Sequence, residues 1–211
     1  MEIYDTIFSM QLILATNNLH KILELKAILK PLFSKIDVLS LKDFPEYCPP
    51  EETGSTFAEN AELKAQDCAK ALKCLTLADD SGLVIPALGG EPGVKSRRYA
   101  GEEASDKENR EKLIENLKDL PAHKRAGYYE CALCLANESG IIKTVSGLCE
   151  GEITLEPRGS GGFGYDPIFV KYDYNKTMAE LSEDTKNRIS HRRRALDKLL
   201  LTLEAELSVA T

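Results

Sequence analysis

The stretch Ala78–Leu83, "ADDSGL", places two adjacent carboxylates, Asp79 and Asp80, and the hydroxyl of Ser81 directly after "CLTL", a short apolar run that reads as a buried strand ending there. A buried carboxylate without a partner is costly, so each needs a hydrogen-bonded counter-charge or a cation. Ligands of α/β proteins gather at the carboxyl ends of sheet strands. Mg2+ takes one or two carboxylates and completes its shell with waters and phosphate oxygens. The pattern therefore fits acids that hold a metal, one of them activating a water beside it. An Asx-type turn closed by Asp79 or Ser81 accounts for the same residues equally well. A second acid pair, Glu51 and Glu52 in "EETGST", stands just before a helix. There it either complements the helix dipole or offers oxygens to a hard cation.

Three further segments carry chemistry of their own. "TNNLHK", Thr16–Lys21, leads from an apolar strand into a helix, and helix N-termini favour anions. Lys21 adds a full positive charge. The loop is not of the GxxxxGK[ST] type, and a simple N-cap by Asn18 is the structural alternative. "GSGGFGYDP", Gly159–Pro167, combines glycines that let backbone approach a ligand with Phe163 and Tyr165, which can stack on a flat base. Asp166 can accept hydrogen bonds from ring nitrogens; a turn anchored by its aromatics is the alternative. In "EDTKNRISHRRR", Glu183–Arg194, the side chains of Lys186, His191 and Arg192 point in different directions on one unbroken helix, at about 100° per residue. They can serve one ligand only if the helix breaks, and Ser190 is suited to cap a fresh one. Otherwise they form a solvated basic face.

The elements that must position these groups are legible as alternating strands and helices. Leu12–Thr16 reads as a strand, followed by a helix with Ile22, Leu25, Leu29 and Leu32 at helical spacing, stopped near Pro31. Lys35–Leu39 is a second strand, and the proline-bearing stretch Leu41–Glu52 a loop. Thr56 and Glu59 have capping-box spacing before a helix whose face is Phe57, Ala61, Ala65, Cys68 and Leu72. Leu75–Ala78 is the next strand. A Gly- and Pro-rich surface excursion follows, then a helix capped at Ser105 that ends near Leu120. Arg125–Leu135 and Ile141–Leu148 make an antiparallel pair turning at Asn137–Gly140. A helical region from Ser182 to about Leu207 closes the chain. The class is α/β with a mixed sheet.

At 211 residues and 43% hydrophobic content the chain suits one domain or two small lobes with a real core. No apolar run approaches the ~20 residues that span a bilayer. "MEIYDTIFSM" has acids where a signal peptide needs bases, so a cytoplasmic protein is expected, with an N-terminal extension over residues 1–11 and one domain over 12–211. The net charge of −7 disfavours nucleic-acid binding, while the local clusters "KSRR" and "HRRR" suit a small anion. Cys131 and Cys134 form a CxxC, but within a strand residues three apart face opposite sides of the sheet. Buried structural thiols are expected rather than a zinc or redox site.

Taken in order, "LATNNLHK", "EETGSTFAENAELKA", "ADDSGL", "LGGEPGVKSRRYAG", "GGFGYDPIF" and "ISHR" resemble the inosine-triphosphate pyrophosphatase family, the XTP/dITP diphosphatases that remove non-standard purine nucleotides. The resemblance runs from about Leu12 to Leu200. It implies a long mixed sheet flanked by helices, two lobes around a central cleft, and a homodimer. It implies Mg2+-dependent cleavage of a purine nucleoside triphosphate between the α and β phosphates. Thr16, Asn17, Asn18, Leu19, His20 and Lys21 would hold phosphates. Glu52 and Asp80 would bind Mg2+, with Asp80 also the proton acceptor and Asp79 in support. Ser81 would touch substrate, and Phe163, Gly164, Tyr165 and Asp166, joined by Lys186, His191 and Arg192, would cradle the base or sugar. The chain departs from the family in carrying Asn17 where glycine is usual. Asparagine tolerates a positive φ, so the turn is expected to survive.

Overall fold

The computed structural model describes residues 11–33 and 36–209. Its strands are β1 (Gln11–Leu14), β2 (Asp37–Ser40), β3 (Leu75–Val84), β4 (Ala126–Asn137), β5 (Gly140–Ile153) and β6 (Phe169–Lys171). Its helices are α1 (Leu19–Leu29), α2 (Phe57–Leu72), α3 (Asp106–Leu117), α4 (Glu183–Ile189) and α5 (His191–Val209). The strands form one mixed sheet in the order β2-β1-β3-β4-β5-β6, parallel among β2, β1 and β3 and antiparallel from β3 onward. The expectation for the N-terminal extension lies outside the described residues, except that Gln11 already opens β1.

Alternation along the strands sorts the core under α1, α2 and α5 into two layers, and a third cluster, with Leu83, Tyr129 and Phe169, packs against Leu113 and Leu117 of α3. Leu12, Leu14, Leu77, Cys131, Leu133 and Leu135 face one side, under α1 and α5. Ile13, Ala78, Ala132, Cys134 and Ala136 face the other, under α2. Because both faces are covered, these strands read as unbroken apolar runs. The second layer is built from small residues on both sides, since α2 presents Ala61, Ala65, Cys68 and Ala69. Cys131 and Cys134 thus fall into different layers, as the strand geometry required.

Capping chemistry fixes the helix starts. Thr56 and Ser105 each accept from the amide three residues on, and Glu59 and Glu108 reach back, closing two capping boxes. α1 is shorter than its apolar spacing suggested. It stops at Leu29, before Pro31, and Leu32 is left exposed beyond it.

The largest difference from the sequence reading concerns β3, which runs on to Val84 instead of ending at Ala78. Its antiparallel register with β4 is continuous from Thr76↔Ala136 to Val84↔Tyr128, so "DDSGL" is paired backbone and not a turn. The parallel neighbour β1 pairs with β3 only as far as Leu14↔Leu77. Asp79 and Asp80 therefore project just past the place where β1 gives way to α1, and a cleft opens there.

Candidate active site

That cleft encloses about 1030 Å3 and is lined by residues of every segment singled out above, among them Lys21, Glu52, Asp80, Phe163, Lys186 and His191. Adjacent residues of a strand face opposite ways, and this divides the acid pair. Asp80 turns toward α2 and Asp79 toward α1 and α5.

On the α2 side, the Lys64 ammonium lies 2.6 Å from Glu52 Oε1 and 3.6 Å from Asp80 Oδ1, and donates to the carbonyl of Asp79 at 2.8 Å. Asn60 donates its Nδ2 to Asp80 Oδ2 at 3.0 Å. The Gly54 amide, bound to Asn60 Oδ1 at 2.7 Å, fixes which way that amide points. Burial raises the pKa of Asp80; Lys64 and Lys21 offset it only in part, and the nearby Glu52 charge adds to the rise. Burial acts the same way on Glu52, but Lys64, with Lys21 and Arg98, overcomes it and holds that carboxyl below its usual range. For Lys64, burial is outweighed by Asp80 and Glu52, which hold the ammonium charged. Two hard oxygen donors from separate elements thus converge on one positive charge. That donor set fits Mg2+, which needs no more than two protein carboxylates when phosphate oxygens complete its shell.

On the other side Asp79 is fully enclosed and saturated. Its Oδ1 accepts from Lys21 Nζ at 2.5 Å and Ser81 Oγ at 3.0 Å; its Oδ2 accepts from Arg192 Nε at 2.6 Å and Cys131 Sγ at 3.2 Å. Burial alone would raise its pKa, yet Arg192 and Lys21 drive it well below the usual carboxylate range. Arg192, 1% exposed, also donates from Nη1 to Glu24 Oε2 at 2.5 Å and from Nη2 to Ser81 Oγ at 3.0 Å. Arg192, expected at the base or sugar, lines the cleft and also ties α5 to α1 and β3.

The helix break required by Lys186 and His191 is present. Ser190 is extended, with φ −67° and ψ 157°, between α4 and α5. Its Oγ accepts from the Arg193 amide at 3.2 Å, the N-cap of the new helix. Gly147 on β5 permits the approach, because a Cβ there would collide with the backbone of His191 and Ala195. His191 stacks on Tyr129, with ring centroids 4.8 Å apart, and its Nδ1 is buried without a partner. Burial, reinforced by Arg192, lowers its pKa well below the usual value, so the imidazole is neutral.

Asp166 is similarly engaged within the protein. Its Oδ2 accepts from Lys186 Nζ at 2.5 Å and from the Phe163 amide at 3.1 Å, and its Oδ1 from Tyr129 at 3.1 Å. Gly162 and Gly164, at φ 73° and 59°, supply the left-handed backbone that presents the Phe163 ring between them. The Gly164 carbonyl and amide are clamped by Arg110 and Asp106 at 2.7 and 2.8 Å.

At the first motif, Asn18 Oδ1 caps α1 by accepting the amides of His20 and Lys21. Thr16 Oγ1 accepts from Asn18. Asn17 needs no left-handed backbone: among the described residues only Lys73 and Asp173 combine a side chain with a positive φ.

Sequence reasoning missed Asn60, Lys64 and Glu24. A signal existed for the first two, since a polar pair at i and i+4 on the buried stripe of an amphipathic helix is unusual. Glu24 sits beside Leu25 on the inward face of α1 and carries an unpartnered buried oxygen, Oε1.

The mixed sheet, with a cleft where β1 gives way to α1 and with acids and bases together on its walls, defines an α/β protein. The sequence pattern of the Ham1 family matches residues 12–202, and the chain belongs to that family. A protein of Protochlamydia amoebophila named dITP/XTP pyrophosphatase is 53% identical over 196 residues, covering 92% of this chain and 98% of that one. One of the same name from Halalkalibacterium halodurans is 50% identical over 188 residues, covering 89% and 95%. Among solved structures, the Ham1 protein of Staphylococcus aureus superposes with a TM-score of 0.81 at 43% identity, covering 93% of this chain and 99% of that one. The resemblance drawn from the six motifs holds.

Proposed function

We propose that this chain hydrolyses non-standard purine nucleoside triphosphates, dITP and ITP or XTP and dXTP, to the monophosphate and pyrophosphate with Mg2+. The observation that carries the reading is the convergence of Glu52 and Asp80 on one positive charge inside a cleft whose neighbouring wall bears Lys21. Glu52 and Asp80 would hold Mg2+, which when bound offsets the charge of the phosphate oxygens and makes its water more acidic. Asp80 accepts the proton of the attacking water, oriented by the Asn60 amide. Lys21 meets the phosphates at the α1 end of the cleft, together with Thr16 and Asn18 and the backbone of the turn through Asn17, Leu19 and His20, whose imidazole points instead at Phe163. Ser81, between Asp79 and Arg192, touches the substrate from the strand.

The base lies against Phe163, in the loop of Gly164, Tyr165 and Asp166 that Lys186 braces. Inosine and xanthosine carry a carbonyl at purine position 6 and adenosine an amino group, so a donor aimed there separates them. His191, Arg192 and backbone amides are the candidate donors, and with Arg192 bonded to Asp79, Glu24 and Ser81 we assign the role first to His191. A homodimer belongs to the same reading. The test is a panel of nucleoside triphosphates with Mg2+, scored for products. Inosine monophosphate with pyrophosphate, and little turnover of ATP, is the expected result. Release of inorganic phosphate instead, or comparable kcat/KM for ATP and dITP, overturns it.

A further inference from the structure

Across the mouth of the cleft, the imidazole of His20 and the ring of Phe163 stack with centroids 4.8 Å apart and planes 10° from parallel. The two rings belong to separate walls, His20 to the first turn of α1 and Phe163 to the glycine loop after β5. They are held very differently. Phe163 is fixed on both sides, by the hydrogen bond its backbone N–H donates to Asp166 Oδ2 and by the Arg110 and Asp106 clamps on Gly164. Lys186 Nζ lies 5.1 Å from the same ring. His20 is exposed, and among the described residues its imidazole has no hydrogen-bond partner.

We propose that His20 is a latch: its imidazole covers the face of Phe163 that receives the purine, and the base binds by displacing it. This rests on the reading that Phe163 stacks the base. A purine cannot slide between the two rings as they stand, because stacked planes need about 3.5 Å on each side of it, and the present ring spacing is 4.8 Å. One ring must leave, and His20 is the one free to turn. An internal stack that competes with the ligand reduces the open fraction of the protein and weakens apparent binding by that fraction. Aromatic pairs of this kind are worth enough to shift the equilibrium about two- to tenfold. The latch also gives selectivity between ligands: it opposes whatever carries a flat base and ignores whatever does not.

The test is calorimetric titration of the full chain with inosine monophosphate, which has the base, and with inorganic pyrophosphate, which lacks it. His20→Ala should bind inosine monophosphate about two- to tenfold more tightly than the wild type and pyrophosphate equally well. His20→Phe, which keeps a flat ring, should return the inosine monophosphate affinity to the wild-type value. Weaker inosine monophosphate binding by His20→Ala overturns the latch, because it would make the imidazole a second platform for the base. Equal change for both ligands overturns it too, because the effect would then lie in the phosphate turn. Binding of pyrophosphate alone by the wild type would instead remove the nucleotide reading on which the latch stands.

Discussion

Asp79 and Asp80 are neighbours in the chain and opposites in their surroundings. Asp79 faces the α1 and α5 layer, is sealed from the cleft and receives four donors; Lys21 and Arg192 overcome its burial and depress its pKa. Asp80 faces α2 and the cleft, receives one close donor from Asn60 and a longer approach from Lys64, and burial leaves its pKa raised. One-residue alternation on a strand thus separates a carboxylate that organises cations from one still open to a proton or an ion. Fully satisfied charges are structural anchors, and the under-satisfied neighbour is where chemistry is available.

The largest expected effect falls on Asp80. Asp80→Asn should lower pyrophosphate release from dITP by about 10²–10⁴-fold, the usual loss for a positioned base, while circular dichroism and the melting temperature stay near the wild-type values. Near-normal turnover would erase the distinction between the two acids. Asp79→Asn should act through stability instead. It leaves Arg192 and Lys21 without their shared counter-charge, and breaking a buried pair from one side costs about 3–5 kcal/mol, to be read by urea unfolding. If that variant were as stable as the wild type, Asp79 would be no anchor.

A smaller loss should follow Gly147→Ala, which pushes the start of α5 off β5 and with it His191 and Arg192. Overpacking of this kind costs about 1–3 kcal/mol, and a melt of the variant checks it. The mildest effect is one of pH. Burial holds His191 neutral in the folded state, with Arg192, Lys186 and Lys21 also opposing its protonation and Asp79 favouring it. The unfolded chain takes up a proton below about pH 6.5 that the folded one refuses, so stability should decline as pH falls through that value. Asp79 works in the same direction lower down. Its contribution is complete above an unfolded pKa of about 3.9 and is lost as pH falls through its depressed folded value. His191→Gln should flatten the upper part of this profile in urea unfolding and leave the lower part in place.

Much of this arrangement was legible in the sequence. The Ser190 break followed from the need to turn Lys186 and His191 toward one place, and the capping boxes at Thr56 and Ser105 are local chemistry that tertiary context did not override. The opposite faces of Cys131 and Cys134 followed from strand period alone. What escaped was set by partners distant in sequence. β3 continues through "DDSGL" because β4, some fifty residues on, pairs with it there. No local propensity records that pairing, and the polar run imitated a turn. The ties of Arg192 to Glu24 and Asp79 were not visible because those partners lie 168 and 113 residues away. Lys64 was hidden for a related reason. A lysine on a helix is ordinarily solvated, and only the convergence of Glu52 and Asp80 makes a buried one favourable.

On the proposed reading the α2 side of the strand, and not the Asp79 side, holds the divalent ion. Titration with Mn2+, followed by the paramagnetic resonance of the free ion, tests it without turnover. The wild type should bind the ion, Glu52→Gln and Asp80→Asn should each weaken it by at least about tenfold, and Cys131→Ala, beside Asp79, should leave it unchanged. Equal Mn2+ affinity in the wild type, Glu52→Gln and Asp80→Asn would show that the ion is not held by these two carboxylates.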